Sequence, residues 1–196
     1  MTILSSTKTL AVTLSLCAVT AFAHAGAVVG KAEVGTTPLP TSVISVEGVS
    51  GGPGTGQHAV IDQRDKSFVP HVTAVVKGST VELLNNDDFL HNTFSASPAK
   101  IFNLNQPGKG SRSLLRVDQP GIIDVRCHIH GQMHAWIIVL DNPYFSTSDA
   151  RGLFRIENVP AGTYEVKCWS EEHGTLTQTI KVPKDGTTPV IFKYSK

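Results

Sequence analysis

The sequence predicts an all-β protein, a Greek-key β-sandwich carrying a small additional β-module. Three observations predict it. Beyond residue 25 no stretch keeps its apolar residues at a 3.6-residue period over the length a helix needs. Short runs rich in Val, Ile, Leu, Thr and Phe end repeatedly at Gly, Pro, Asn or Asp, the punctuation of strands and turns. In the last fifty or so residues the pattern becomes a two-residue alternation around one Pro/Gly turn.

Residues 1–25 come first. Lys8 precedes an apolar run from Leu10 to Phe22, and Ala21-Phe22-Ala23 and Ala23-His24-Ala25 are small-x-small cleavage patterns. The segment reads as a secretory signal peptide and not as a membrane span, which directs the chain to the periplasm or out of the cell. Cys17 follows the bulky Leu16, unlike the site of a lipoprotein anchor. Lys and Arg number 17 against 16 Asp and Glu, and the formal charge of +1 falls to zero once the one lysine of the leader is removed. Nothing in this balance steers nucleic acid or an anionic membrane toward the chain.

Residues 26–56 hold two β-rich runs, Ala27 to Val34 and Ser42 to Glu47, separated by Gly35-Thr36-Thr37-Pro38-Leu39-Pro40. Gly48 to Gly56 is a glycine-rich connection with neither the Lys nor the following helix of a phosphate-binding loop. Residues 57–145 form the main domain, with strand-like runs at Val72–Val76, Thr80–Leu84, Asn92–Ala96, Leu114–Val117, Ile122–Arg126 and Trp136–Leu140. Between them, Ser97 to Ser113 is expected to be a short helix or an irregular crossing. Residues 146–196 make the additional module, whose spacing from Gly152 to Val166 gives two alternating strands. So short a module is near the lower limit for a self-sufficient core, so it is expected to pack on residues 26–47, on the main sheets, or on both.

The stretch Cys127-His128-Ile129-His130-Gly131-Gln132-Met133 lies between two of the strand-like runs. A thiolate, an imidazole and a thioether at C-x-x-H-x-x-M can point into one loop, and with a second imidazole they make the ligand set of a blue-copper site. His91, after the turn-rich Asn85-Asn86-Asp87-Asp88, is the candidate for that imidazole. His71, in Val69-Pro70-His71, is a further histidine within conceivable reach. His128 is next to Cys127 and His134 next to Met133, so strand geometry sends both to the opposite face.

The segment Asn86 to Phe94 resembles the plastocyanin segment that carries the first copper histidine, and Cys127 to Met133 resembles the ligand loop with the short spacing of amicyanin. The wider run from Phe68 to Phe145, with Phe68-Val69-Pro70, Gly78, Pro120-Gly121 and Pro143-Tyr144-Phe145, is similar to periplasmic plastocyanin-like or methylamine-utilisation-like proteins, which are cupredoxins. The resemblance implies that His91, Cys127, His130 and Met133 hold one copper per chain, cycling between Cu(I) and Cu(II). It also implies that Asn92 hydrogen-bonds between the two ligand loops, and that the edge of His130 passes the electron to a redox protein partner. Residues 146–196 resemble carboxypeptidase-regulatory-like or transthyretin-like β-modules, which carry no catalysis of their own. The chain departs from the cupredoxin pattern at Gly131 and Gln132, where Pro is usual, and in its extra His128 and His134.

Rival chemistries fit less well. Structural zinc wants four strong N or S ligands, and Met is a poor one. A binuclear copper site needs a second thiolate in the loop. A disulfide between Cys127 and Cys168 conflicts with strand alternation, which puts Cys168 beside Tyr164 and Val166 on a core-facing side. No paired carboxylates flank the loop and no Ser-His arrangement stands at a nucleophile turn, so the chain is read as a carrier and not an enzyme. The expected function is single-electron transfer by a mononuclear copper centre, the alternative a copper-binding protein for tolerance, storage or delivery.

Overall fold

The structure, a computed structural model, describes residues 25–50 and 56–195. The expected leader, apart from Ala25, and most of the glycine-rich loop lie outside the described residues. In chain order the strands are β1 (Ala25–Val34), β2 (Thr37–Pro38), β3 (Val43–Val46), β4 (His58–Arg64), β5 (Ser67–Val69), β6 (Val72–Val76), β7 (Ser79–Asn85), β8 (His91–Ser97), β9 (Lys100–Gln106), β10 (Ser111–Val117), β11 (Gly121–Cys127), β12 (His134–Leu140), β13 (Phe145–Thr147), β14 (Leu153–Pro160), β15 (Gly162–Ser170), β16 (Gly174–Val182) and β17 (Thr187–Tyr194). No helix occurs among the described residues.

Strands β4 to β12 build a Greek-key β-sandwich. One sheet has the order β10-β7-β4-β5 and the other β6-β12-β11-β8-β9, so the chain crosses between sheets at every step from β5 to β8 and again from β9 to β10 and from β10 to β11. The alternation that predicts strands also predicts which side chains meet. On β7, Ser79, Val81, Leu83 and Asn85 are buried and the residues between them are half-exposed. Facing them, Ile123, Val125 and Cys127 of β11 and Ala135, Ile137 and Val139 of β12 close one apolar cluster with Ile61, Phe68 and Met133. Each fully buried Val, Leu or Ile stabilises the sandwich by about 1.5–3 kcal/mol relative to an exposed one.

The two stretches that the sequence separates, 26–56 and 146–196, share sheets. β1 lies between β14, antiparallel, and β17, parallel, while β3 lies between β13 and β15. Their facing sides bury Val28, Ala32, Ile44, Val46, Ile156, Val166, Cys168 and Phe192 in a second apolar cluster. The C-terminal strands thus find in β1 and β3 the central strands that they lack, and the first sandwich is inserted into the chain of the second. β1 passes so close to β17 that a Cβ on Gly30 would collide with the carbonyl oxygen of Val190. Both cysteines of the described residues, Cys127 and Cys168, are free and sit in different cores.

One expectation is corrected. Within Ser97 to Ser113, in place of a short helix or irregular crossing, the chain forms strand β9, paired with β8 along its whole length from Ser97↔Lys100 to His91↔Gln106. Lys-Ile-Phe-Asn-Leu-Asn-Gln alternates in burial, with Phe102 and Leu104 half-buried and Ile101, Asn103 and Asn105 exposed. The half-exposed inner face weakens the contrast that would reveal a strand.

Candidate metal centre

β8 begins at His91 and β11 ends at Cys127, and the two strands pair antiparallel with Thr93 opposite Cys127. The pairing lays the turn before β8 against the loop after β11, where the backbone N–H of His128 donates to the carbonyl of Asn92 at 3.1 Å. Alternation along β11 turns Ile123, Val125 and then the Cys127 thiol inward. The loop closes on itself as the N–H of Met133 donates to the carbonyl of His130 at 2.9 Å, which returns His130 over the thiol.

Nδ1 of His91 lies 3.8 Å from Sγ of Cys127 and 3.2 Å from Nδ1 of His130. One donor atom from each of the three residues falls within 4.8 Å of the others. His91 and Cys127 are buried and His130 is half-buried. Met133 is only 1% exposed and belongs to the same apolar cluster as Cys127, at the end of the ligand loop.

Behind His91 stands Asp87, a residue that the sequence places in a turn without marking it for any role. Its Oδ2 accepts from Nε2 of His91 at 2.8 Å, and its oxygens also accept the backbone N–H groups of Asp65 and Lys66 at 2.7 and 3.1 Å. Those two residues adopt left-handed conformations, φ 53° and 55°, which aim both N–H groups at one carboxylate. Burial acts to raise the Asp87 carboxyl, but the His91 ring and the two N–H groups outweigh it and hold it below the usual carboxylate value. A carboxylate only accepts, so Nε2 of His91 carries the ring proton and the lone pair on Nδ1 faces Cys127 and His130.

A buried polar network stiffens this corner. The hydroxyl of Thr93 bridges Gln63 and Gln106 at 3.1 and 3.0 Å, Gln63 donates to Gln106 at 2.6 Å, and Gln106 donates to the carbonyl of Leu83 at 2.7 Å. Asn85 donates to the carbonyls of Phe89 and Gln106 at 2.9 and 3.1 Å and accepts the N–H of Asp87 at 2.9 Å. Satisfied networks of this kind fix a single local geometry. Gln63 and Gln106 carry no signal in the sequence, since an isolated Gln on a strand is ordinarily solvated.

His130 alone of the three donors reaches the surface. Burial, the neighbouring His91 ring and Lys66 depress its pKa below the ordinary histidine value against the opposing pull of Asp87, which favours the neutral, metal-binding imidazole. Phe89 stands at the opening with ring centroids 5.2 Å from His91 and 5.4 Å from His130, and Leu90 and Ile129 are exposed beside it.

The other histidines lie apart. His128 is exposed and stacks on Phe94 at 3.6 Å. His71 stands away from the thiol, beside His134 and Glu171. The side chain of Asn92 does not tie the two loops, because it donates to Asn103 at 2.8 Å and Asn105 at 2.6 Å on β9, and only its backbone carbonyl reaches the ligand loop.

No family model matches this chain, and no curated protein does. Among solved structures it is similar to a novel purple cupredoxin from Nitrosopumilus maritimus, at 21% identity and TM-score 0.38 over 42% of this chain and 99% of that one. It is similar to amicyanin from Paracoccus versutus, at 18% identity and TM-score 0.39 over 50% of this chain and 97% of that one. It is also similar to a Cu-containing nitrite reductase from Thermus scotoductus, at 25% identity and TM-score 0.39 over 43% of this chain but only 23% of that one. Likeness at such TM-scores assigns no chemistry, which rests instead on the residues of the site.

Those residues fit copper. A buried thiol, two imidazoles presenting Nδ1 and a thioether residue at the end of the same loop form a soft, mixed N/S set. Zinc would need a fourth strong donor in place of Met133. The Asp87 carboxylate behind His91 is the kind of partner that orients a metal-binding imidazole and raises its basicity.

Proposed function

We propose that this chain is a type 1, blue-copper-like mononuclear copper protein of the periplasm or secreted space that transfers single electrons between redox partners and catalyses no reaction of its own. The observation that carries this reading is the convergence of one donor atom each from His91, Cys127 and His130 within 4.8 Å of one another at the end of a β-sandwich, with Nδ1 of His91 3.8 Å from Sγ of Cys127 and 3.2 Å from Nδ1 of His130. When bound, copper supplies one-electron exchange between Cu(I) and Cu(II). The protein supplies the rest. Cys127 would provide the soft anionic donor, His91 is held in one tautomer by Asp87, and Met133 would add a weak thioether donor. The Gln63–Thr93–Gln106 network keeps the strand ends in place, so little rearrangement accompanies a change of charge. Phe89 lies beside His130, and exposed Leu90 and Ile129, next in the chain to Phe89 and His130, add apolar surface that would serve as a contact face for a protein redox partner.

Adding Cu(II) to the purified protein and recording visible and electron paramagnetic resonance spectra tests the proposal. The expected result is an intense thiolate-to-copper charge-transfer band, lost in Cys127→Ser, with copper retained through repeated oxidation and reduction. Copper uptake without that band would overturn it. Rapid loss of Cu(I) to a competing chelator would instead assign the chain to copper storage or delivery.

A further inference from the structure

A second group of metal-binding side chains lies where the two sandwiches meet. His71 precedes β6 and His134 opens β12, both in the first sandwich, while Glu171 follows β15 in the second. One donor atom of each falls within 4.8 Å of the others. None of the three takes part in the thiolate centre.

The outward nitrogen of the His71 ring is engaged by a backbone carbonyl, and that of the His134 ring stands close to a carboxylate. Nδ1 of His71 lies 3.0 Å from the backbone carbonyl of His134, which can only accept, so Nδ1 carries the proton and Nε2 is left to face Glu171 Oε2 at 2.6 Å. Nε2 of His134 lies 2.9 Å from Oδ1 of Asp124, which leaves Nδ1 facing Glu171 Oε1 at 3.5 Å. The Asp124 and His134 atoms are off the hydrogen-bond direction, and both are buried without another partner. Two imidazoles therefore present their inner nitrogens to one carboxylate, with a carbonyl or carboxylate oxygen behind each ring. This is the arrangement by which proteins orient imidazoles for a metal. A proton between ring and carboxylate serves one pair, whereas a divalent cation satisfies both nitrogens and the carboxylate together.

We propose that His71, His134 and Glu171 form a site for a borderline divalent ion, Zn(II) or Cu(II), that pins the two sandwiches to each other. The donor set is two nitrogens and a carboxylate with no sulfur, which suits these ions and not Cu(I). The site is open on one side, since the His71 side chain is 45% exposed, so solvent completes the coordination. The wall on the other side is Trp136, whose ring lies 4.7 Å from that of His134 and 5.5 Å from that of Trp169 across the junction. This inference stands whether or not the thiolate centre transfers electrons.

The test is calorimetric titration of Zn(II) into the full chain carrying Cys127→Ser, which disables the thiolate centre. One Zn(II) per chain is expected, with a rise in Tm on binding. Adding His71→Ala should abolish both, and adding Glu171→Gln should weaken binding by more than about tenfold. Asp124→Asn, behind His134, should weaken it by about 10–100-fold, the range for partners that hold a ligating imidazole from behind. His173→Ala, at a histidine close to Glu171 in the chain, should leave it unchanged. The proposal is overturned if Cys127→Ser takes up no Zn(II), if His71→Ala and Glu171→Gln retain full uptake, or if His173→Ala removes it equally well.

Discussion

Oδ2 of Asp87 accepts the ring proton of His91 at 2.8 Å, in a pocket where both residues are buried. This contact decides which nitrogen of His91 faces Cys127, and it places a negative charge one ring away from any metal held there. A nearby anion stabilises the more highly charged oxidation state. Asp87→Asn, which removes the charge but keeps an acceptor, is therefore expected to retain the coloured copper form and raise its reduction potential. A change on the order of tenfold in the one-electron equilibrium corresponds to about 59 mV. Protein-film voltammetry of the two proteins checks it, and an unchanged potential would mean that solvent screens the carboxylate.

Met133 is 1% exposed at the end of the ligand loop. Met133→Leu preserves volume and removes the thioether, a swap that ordinarily costs less than about 1.5 kcal/mol in a core. The expected result is a folded protein that still binds copper with an altered potential, because a weak thioether donor would tune a site that the other three donors would hold. Identical voltammograms for variant and wild type would mean that the Met133 thioether does not act on the metal.

Gly30 has no room for a side chain, since a Cβ added there would meet Cζ of Phe154 at 2.7 Å and collide with the Val190 carbonyl oxygen. Gly30→Ala must push β17 away from β1. We expect a loss of at least about 1–3 kcal/mol, the usual cost of overpacking, seen as a lower denaturation midpoint. The same logic predicts that residues 146–196 expressed alone show no cooperative unfolding transition, since β14 and β17 then lack β1, and β13 and β15 lack β3.

Asp149 organises the turn between β13 and β14, its Oδ1 accepting the N–H groups of Arg151 and Leu153 at 2.8 Å each. The Leu153 N–H, then those of Arg151, hold its carboxyl below the usual value against the opposing effect of burial. A carboxyl depressed in the folded state stabilises above its unfolded pKa of about 3.9 and ceases to do so as pH falls through the lower folded value. The Tm of the wild type should exceed that of Asp149→Asn near neutrality, and the gap should close on acidification. A gap that stays constant through the carboxylate range would remove Asp149 as a source of acid sensitivity.

Much of this architecture is legible in the chain because strands declare themselves through alternation. Val81 and Leu83 on β7, or Ile123, Val125 and Cys127 on β11, announce their buried face directly. β9 is harder to see because its inner residues, Phe102 and Leu104, are only half-buried while Ile101 on the outside is 74% exposed. Cys127, His130 and Met133 are visible by spacing alone. Asp87 is not, because its role depends on Asp65 and Lys66 turning two N–H groups toward it from a distant hairpin. Nor can the meeting of His71 with Glu171 be read from order, since it joins side chains 100 positions apart.

The place of β1 between β14 and β17 has a consequence for biogenesis. Apart from a two-residue pairing with β2, the edges of this strand stay uncovered until β14 and β17 have been made, while the sandwich in between can already close. A chain cut short after β12 would leave most of β1 and all of β3 with hydrogen-bonding groups open on both sides, an invitation to pair with a neighbour. Forms that end there are thus expected to clump while those that reach β17 stay dispersed.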